Sequence, residues 1–240
     1  FSPEADPSLR NIVGLLRSHP RLARGALKWH AEAEKIQEIM AGKAIHPPYV
    51  VPGGVSRRLE KEDAEKIREK AKGILDFTLN ALNFFKDRVM GREDYRRIMY
   101  GDMYRLETYY MGLVDERMQV NFYDGRVRVI GQDGRQEALF TPTEYQRYVG
   151  EQVMPWTYCK FPYLKTIGWK GLTDGRESGI YRVNSLARLN VSEGMPTPAA
   201  QEAYEEFYRE LGGRPAHQTM AFHWARLIET IYLSLIHISE

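Results

Sequence analysis

The chain has 240 residues, 43% of them hydrophobic, which is enough to build a core and excludes wholesale disorder. Its 34 basic and 32 acidic side chains leave a net charge of +2 with no long run of one sign, which argues against a sequence-independent nucleic-acid binder, since such proteins concentrate Lys and Arg on one face. The single cysteine, Cys159, excludes an intrachain disulfide and a thiolate cage, and it fits a reducing, cytoplasmic setting.

Phe1 to Arg10 has neither a basic start nor an apolar stretch, so it does not read as a signal peptide. Residues 7–41 read as helix: a short piece from Leu9 to Arg17, then a longer one with an apolar stripe at Leu22, Ala26, Ala33, Ile36 and Met40. Gly42 stands where a C-terminal cap is expected. KAIHPPYVVPGGVSR, residues 43–57, is too rich in Pro and Gly for a regular element. A long helix is predicted from about Glu60 to Val89, its charged first half read as a solvated face.

Residues 92–118 carry no clear pattern. MQVNFYDGRVRVIGQDGRQEALF then alternates around Asp124-Gly125 and Asp133-Gly134, which predicts a meander of three short antiparallel strands over about 118–140. A short helix is expected between Pro142 and Val153, and 154–195 reads as long, irregular and aromatic. Thr197-Pro198 signals another helix start, ending at Gly212-Gly213. A last helix begins near Gln218; its apolar run Leu227 to Ile238 is broken by Glu229 and falls short of the roughly 18 residues of a membrane span. The predicted fold is mainly α with a small antiparallel β-meander, in one domain over 1–232. Both ends read as cut, and LSLIHISE resembles translated adaptor sequence, so a non-native tail over 233–240 stands beside a native helix as a second reading.

The usual catalytic signatures are missing. GGVS lacks the Lys and the flanking elements of a phosphate loop, and no nucleophile elbow occurs. The histidines show no metal-binding spacing, and His217 and His223 would point to different faces of a helix, so no metal site is expected. Cys159 beside Lys160 has a somewhat favoured thiolate, but a buried structural thiol is the plainer reading.

Two phrases stand out: GKAIHPPYVVPGGVS (42–56) and GIYRVNSLARLNVSEGMPTP (179–198). Their prolines fix the backbone and their glycines allow tight angles, so each describes a stiff segment of particular shape. Together with RNIVGLLRSHPRLARGAL, YYMGLV and YCKFPYLKTIGW they resemble the large subunit of nickel–iron hydrogenases, most of all the cytoplasmic NAD-reducing, cofactor-coupled group. Asn184-Ser185 replaces the Gly-Pro of that group's phrase.

The resemblance implies an internal fragment of a catalytic subunit that oxidises or evolves H2. Its nickel–iron centre would be held by two Cys-x-x-Cys pairs outside this chain, because soft thiolates suit such a metal pair. No cofactor is expected on the fragment itself, which would be inactive alone. Implied partners are a small subunit carrying iron–sulfur clusters and a diaphorase-type module. His46 is implied to lie near the subunit interface, as a proton relay or as a scaffold histidine. Pro47, Pro52, Gly53, Gly54 and Tyr181 fall on the motif phrases. Arg182 and Arg188 are candidates to pin the irregular loop by buried charge-assisted bonds, or are surface arginines. Two other classes compete: a quinone-pocket subunit of a complex I-type oxidoreductase, and a helical interaction module without chemistry.

Overall fold

The computed structural model describes residues 6–239. They divide into two compact units, the described residues up to 84 together with those from 233 on, and Phe85–Tyr232.

In the first unit, α1 (Ile12–Ser18) is capped by Asn11, whose side-chain oxygen accepts from the Val13 and Gly14 amides at 2.9 and 3.1 Å. α2 (Pro20–Ala41) begins on its proline and ends where Gly42 takes a left-handed φ of 82°. A two-stranded hairpin follows, β1 (Val50–Val51) with β2 (Gly54–Val55), where no regular element was expected. Pro52-Gly53 makes it: proline presets φ at the first corner and Gly53 supplies φ 90° at the second. α3 (Lys61–Phe85) packs against α2, since a Cβ added at Gly25 or Gly73 would strike the rings of Phe77 or Trp29. Lys70 on α3 pairs with Glu32 on α2.

In the second unit the helical path continues as a π-turn over Lys86–Met90, then α4 (Glu93–Tyr100). The central sheet has the order β5-β4-β3-β8, from β3 (Tyr109–Val114), β4 (Arg126–Ile130), β5 (Gln136–Phe140) and β8 (Tyr181–Arg182). β3, β4 and β5 form an antiparallel meander with β4 in the middle, while β8 pairs parallel to β3. The expected meander is therefore present with a different first strand. Residues 118–123 make only isolated bridges at Gln119 and Val120, and 109–114 takes the strand's place.

The sheet is covered on both faces. Tyr110, Val114 and Ile130 point to one side with Ala187 and Val191; Tyr109, Val129, Phe140 and Leu164 cluster on the other. Side chains alternate across a strand, so β3 buries both of its faces and shows no polar alternation in sequence.

The short helix expected between Pro142 and Val153 is only α5 (Tyr145–Tyr148), which gives way to β6 (Val149–Val153); the stretch read as irregular, 154–195, holds β7 (Lys160–Leu164), which pairs with β6, then β8 and α6 (Asn184–Val191). That correction makes the fold a mixed α and β one with small sheets. α7 (Pro198–Leu211) starts on its proline as predicted, although the Thr197 side chain makes no capping bond. α8 (Ala221–Ser239) runs through the last described residues, including most of the stretch for which a native helix and a foreign tail were the two readings. Among the described residues no helix is long and apolar enough to cross a membrane.

α6 lies directly on β3 at Gly112, where an added Cβ would come 2.7 Å from Val191 Cγ2 and 3.1 Å from the Arg188 Cα. The second contact is backbone, so the helix itself must move. Gly112→Ala is expected to destabilise the chain by about 1–3 kcal/mol, read as a lower urea midpoint at unchanged slope.

Candidate functional site

The polar residues of the second unit converge on α6. Six of its eight residues, Ser185, Leu186, Ala187, Leu189, Asn190 and Val191, are buried. Its first residue, Asn184, has φ 75°, a left-handed conformation that asparagine tolerates better than other side chains. The Asn184 Oδ1 accepts from the Ser185 amide at 2.8 Å, the Ser185 hydroxyl at 3.1 Å and Arg188 Nη2 at 3.4 Å. The Asn-Ser in the sequence thus encodes a defined turn. Asn184→Val is expected to cost about 1–2 kcal/mol through the backbone alone, and Asn184→Gly less, which denaturant unfolding would separate.

Arg188 makes a two-pronged contact with Glu229 of α8, Nε to Oε1 at 2.6 Å and Nη2 to Oε2 at 2.8 Å. Glu229 is 4% exposed. The Arg188 guanidinium also lies 4.8 Å over the Phe122 ring, which stacks on Tyr232. At the other end of α6, Arg128 donates to the Val191 carbonyl at 2.8 Å. Arg214 donates to the carbonyls of Asn190 and Ser192 while covering Tyr204 and Tyr208. Two cations therefore sit at the negative end of the helix dipole. Buried Asn190 ties in the segment after α7, exchanging bonds with both the Ala216 amide and carbonyl and accepting from Tyr208 Oη at 2.8 Å. Burial pushes Tyr208 well above its ordinary pKa, so it stays a neutral donor.

Arg182, on β8, donates from Nε to Thr108 Oγ1 at 3.1 Å, and from Nη2 to Tyr110 Oη at 3.2 Å and the His217 carbonyl at 3.0 Å. Tyr181 pairs with Tyr109, and burial raises its hydroxyl pKa. His46, Pro47, Pro52, Gly53 and Gly54 fall in the first unit and are exposed; His46 has φ 51°. Cys159, expected to be a buried thiol, is exposed. His217 is buried in the polar cluster before α8 and His223 is exposed on that helix. A cleft of about 510 Å³ opens beside α6, lined by Arg128, Asp133, Asn190, Glu193 and Arg214 among others.

Among the described residues no three His, Cys, Asp or Glu side chains are grouped to hold a metal ion. The donors present do not fit a thiolate-held centre, whose ligand set needs several sulfurs.

No family model matches the chain. It is 38% identical over 95% of its length to the iron-sulfur subunit of the F420-non-reducing hydrogenase of Archaeoglobus profundus, covering 47% of that protein. It is also 38% identical over 96% of its length to a vhu subunit of the F420-non-reducing hydrogenase of Methanocaldococcus jannaschii, covering 52% of it. It is similar to hydrogenase subunits.

Against the NAD-reducing hydrogenase HoxS subunit beta of Cupriavidus necator it is 31% identical over 97% of its length and 46% of that protein. A chain in the crystal structure of an NAD+-reducing [NiFe]-hydrogenase in the H2-reduced state superposes with a TM-score of 0.86 at 30% identity, covering 98% of this chain and 50% of that one. The chain thus spans about half the length of the curated hydrogenase relatives reported above.

These are names of hydrogenase subunits, and they correct the finer expectation. One of the relatives matched is named as an iron-sulfur subunit, another as HoxS subunit beta. The expectation of a large subunit, the catalytic role that came with it and the small-subunit partner are withdrawn.

Tyr110, Asn190, Arg214 and Glu229 were not assigned to the site from the sequence. The signal for Glu229 was present, as the one acidic residue inside an apolar run, where a buried charge demands a partner.

Proposed function

We propose that this chain is a portion of a hydrogenase-complex subunit of the iron-sulfur and HoxS beta kind, in which it supplies a stiff framework. The observation that carries this reading is the end-to-end likeness, 98% of the chain at a TM-score of 0.86. In this reading the complex is cytoplasmic and oxidises or evolves H2. The NAD-reducing name borne by one relative and by the solved structure favours a nicotinamide acceptor. Nickel–iron and iron–sulfur chemistry would belong to the complex as a whole, following the words [NiFe] and iron-sulfur in those names. This chain's own part is positional: the Arg188–Glu229 pair, the arginines at the end of α6 and the Asn190 bridge hold one buried helix in one place.

The test is made in the parent polypeptide with its partner subunits. The assembled complex is expected to reduce a viologen dye with H2, and Arg188→Ala is expected to lower assembly and dye reduction together. An intact assembly that shows no H2-dependent reduction, or full reduction by a complex lacking this polypeptide, overturns the reading.

A further inference from the structure

Where the segment joining α7 to α8 meets the sheet, one imidazole is held from both sides. His217 Nδ1 lies 2.7 Å from Tyr110 Oη, and Nε2 lies 3.1 Å from the Gln132 carbonyl in the turn between β4 and β5. A carbonyl only accepts, so Nε2 carries the proton. In the neutral ring Nδ1 is then an acceptor, and the Tyr110 hydroxyl donates to it while accepting from Arg182. The segment is fastened around this ring. The Leu106 amide donates to the His217 carbonyl at 3.2 Å, and the Thr219 amide to the Tyr104 carbonyl at 2.8 Å.

We propose that His217 is an acid-sensitive latch: its neutral, Nε2-protonated form fastens residues 216–219 to β3 and to the Gln132 turn, and a second proton releases them. A proton on Nδ1 turns that atom into a donor facing the Tyr110 hydroxyl, whose own proton must swing to the Ala216 carbonyl 3.0 Å away. It also places a second cation in a buried cluster that already holds Arg182. The charged and titratable groups facing the ring are Tyr110 on β3, Arg182 on β8, and Arg105 and Glu107 ahead of β3; Asp174 lies within electrostatic reach of Arg182. Glu107 is the acid facing the ring, and Arg105 holds that carboxylate in an ion pair at 2.7 Å. Tyr110 gives no relief by ionising, because burial pushes its pKa up to about 12. Burial first, and then Arg105, lower the His217 pKa from its ordinary 6.5. The sign follows: the unfolded chain takes up the proton first, so the latch's contribution is complete above about pH 6.5 and is lost as pH falls through the lower folded value.

Hydrogen exchange on the full chain at about pH 7.5 and 5.5, corrected for intrinsic rates, reads the latch directly. The amides of Leu106, Ala216 and Thr219 are expected to lose protection at the lower pH by up to about tenfold, the most that one proton bound at an ordinary pKa of 6.5 allows between those two values, while those of β4 keep theirs. The His217→Gln variant is expected to show no such pH dependence. Unchanged protection in the wild type, or the same acid loss in the variant, overturns the proposal. Should the variant fail to fold, nitrogen NMR of the wild-type ring decides. An Nε2–H tautomer titrating below the ordinary midpoint is expected, and an Nδ1–H tautomer or a midpoint at or above the ordinary one overturns it.

Discussion

Removing the guanidinium in Arg188→Ala is expected to destabilise the second unit by about 3–5 kcal/mol, because it leaves a carboxylate in the interior with no counter-charge. Glu229 is 4% exposed and both of its oxygens are bonded to Arg188. The sign of the paired replacement separates burial cost from pair strength. Arg188→Met together with Glu229→Met removes both charges and keeps the volume, and it is expected to recover most of the loss, since apolar substitutes for buried ion pairs are often neutral. Denaturant midpoints of the single and double variants measure this. A double variant as unstable as the single one would show that the packing around Phe122 and Tyr232 carries the effect.

Trp224→Ala is expected to cost a similar amount, about 3–5 kcal/mol, by opening a cavity in a close-packed aromatic group. Trp224 is 1% exposed and its ring meets Phe207 edge-on at 5.3 Å and Phe85 at 5.8 Å. Trp224→Phe should cost less than half as much, because most of the ring area is kept. A calorimetric or urea comparison of the two variants checks the ordering.

Helices were legible where an apolar stripe ends on a recognisable stop. The stripe of α2 runs to Gly42, and α7 begins at Pro198 and ends at Gly212, both glycines adopting left-handed angles. β4 and β5 were legible because they flank the Asp133-Gly134 turn. β3 was not: YYMGLV is covered on both faces, so it has no polar alternation to reveal it. β6 was taken into the short helix expected before it, β7 was hidden by Pro162 and the crowd of aromatics around it, and α6 by the phrase that contains it.

The candidate site was legible in part. Arg182 and Arg188 were singled out from their phrase, but their partners Tyr110, His217 and Glu229 lie far away in sequence, and period and spacing carry no information about such pairings. His217 was weighed only as half of a metal pair with His223. Its position before α8 puts it under the sheet instead, while His223 faces outward.

The left-handed turn at Asn184 bears on how kinship is detected. At Asn184 a side chain that folds back on its own loop reaches a left-handed angle of the kind glycine favours. A left-handed torsion at such a place can be satisfied by asparagine as well as by glycine. Profiles written over torsions would group sequences that profiles written over letters keep apart.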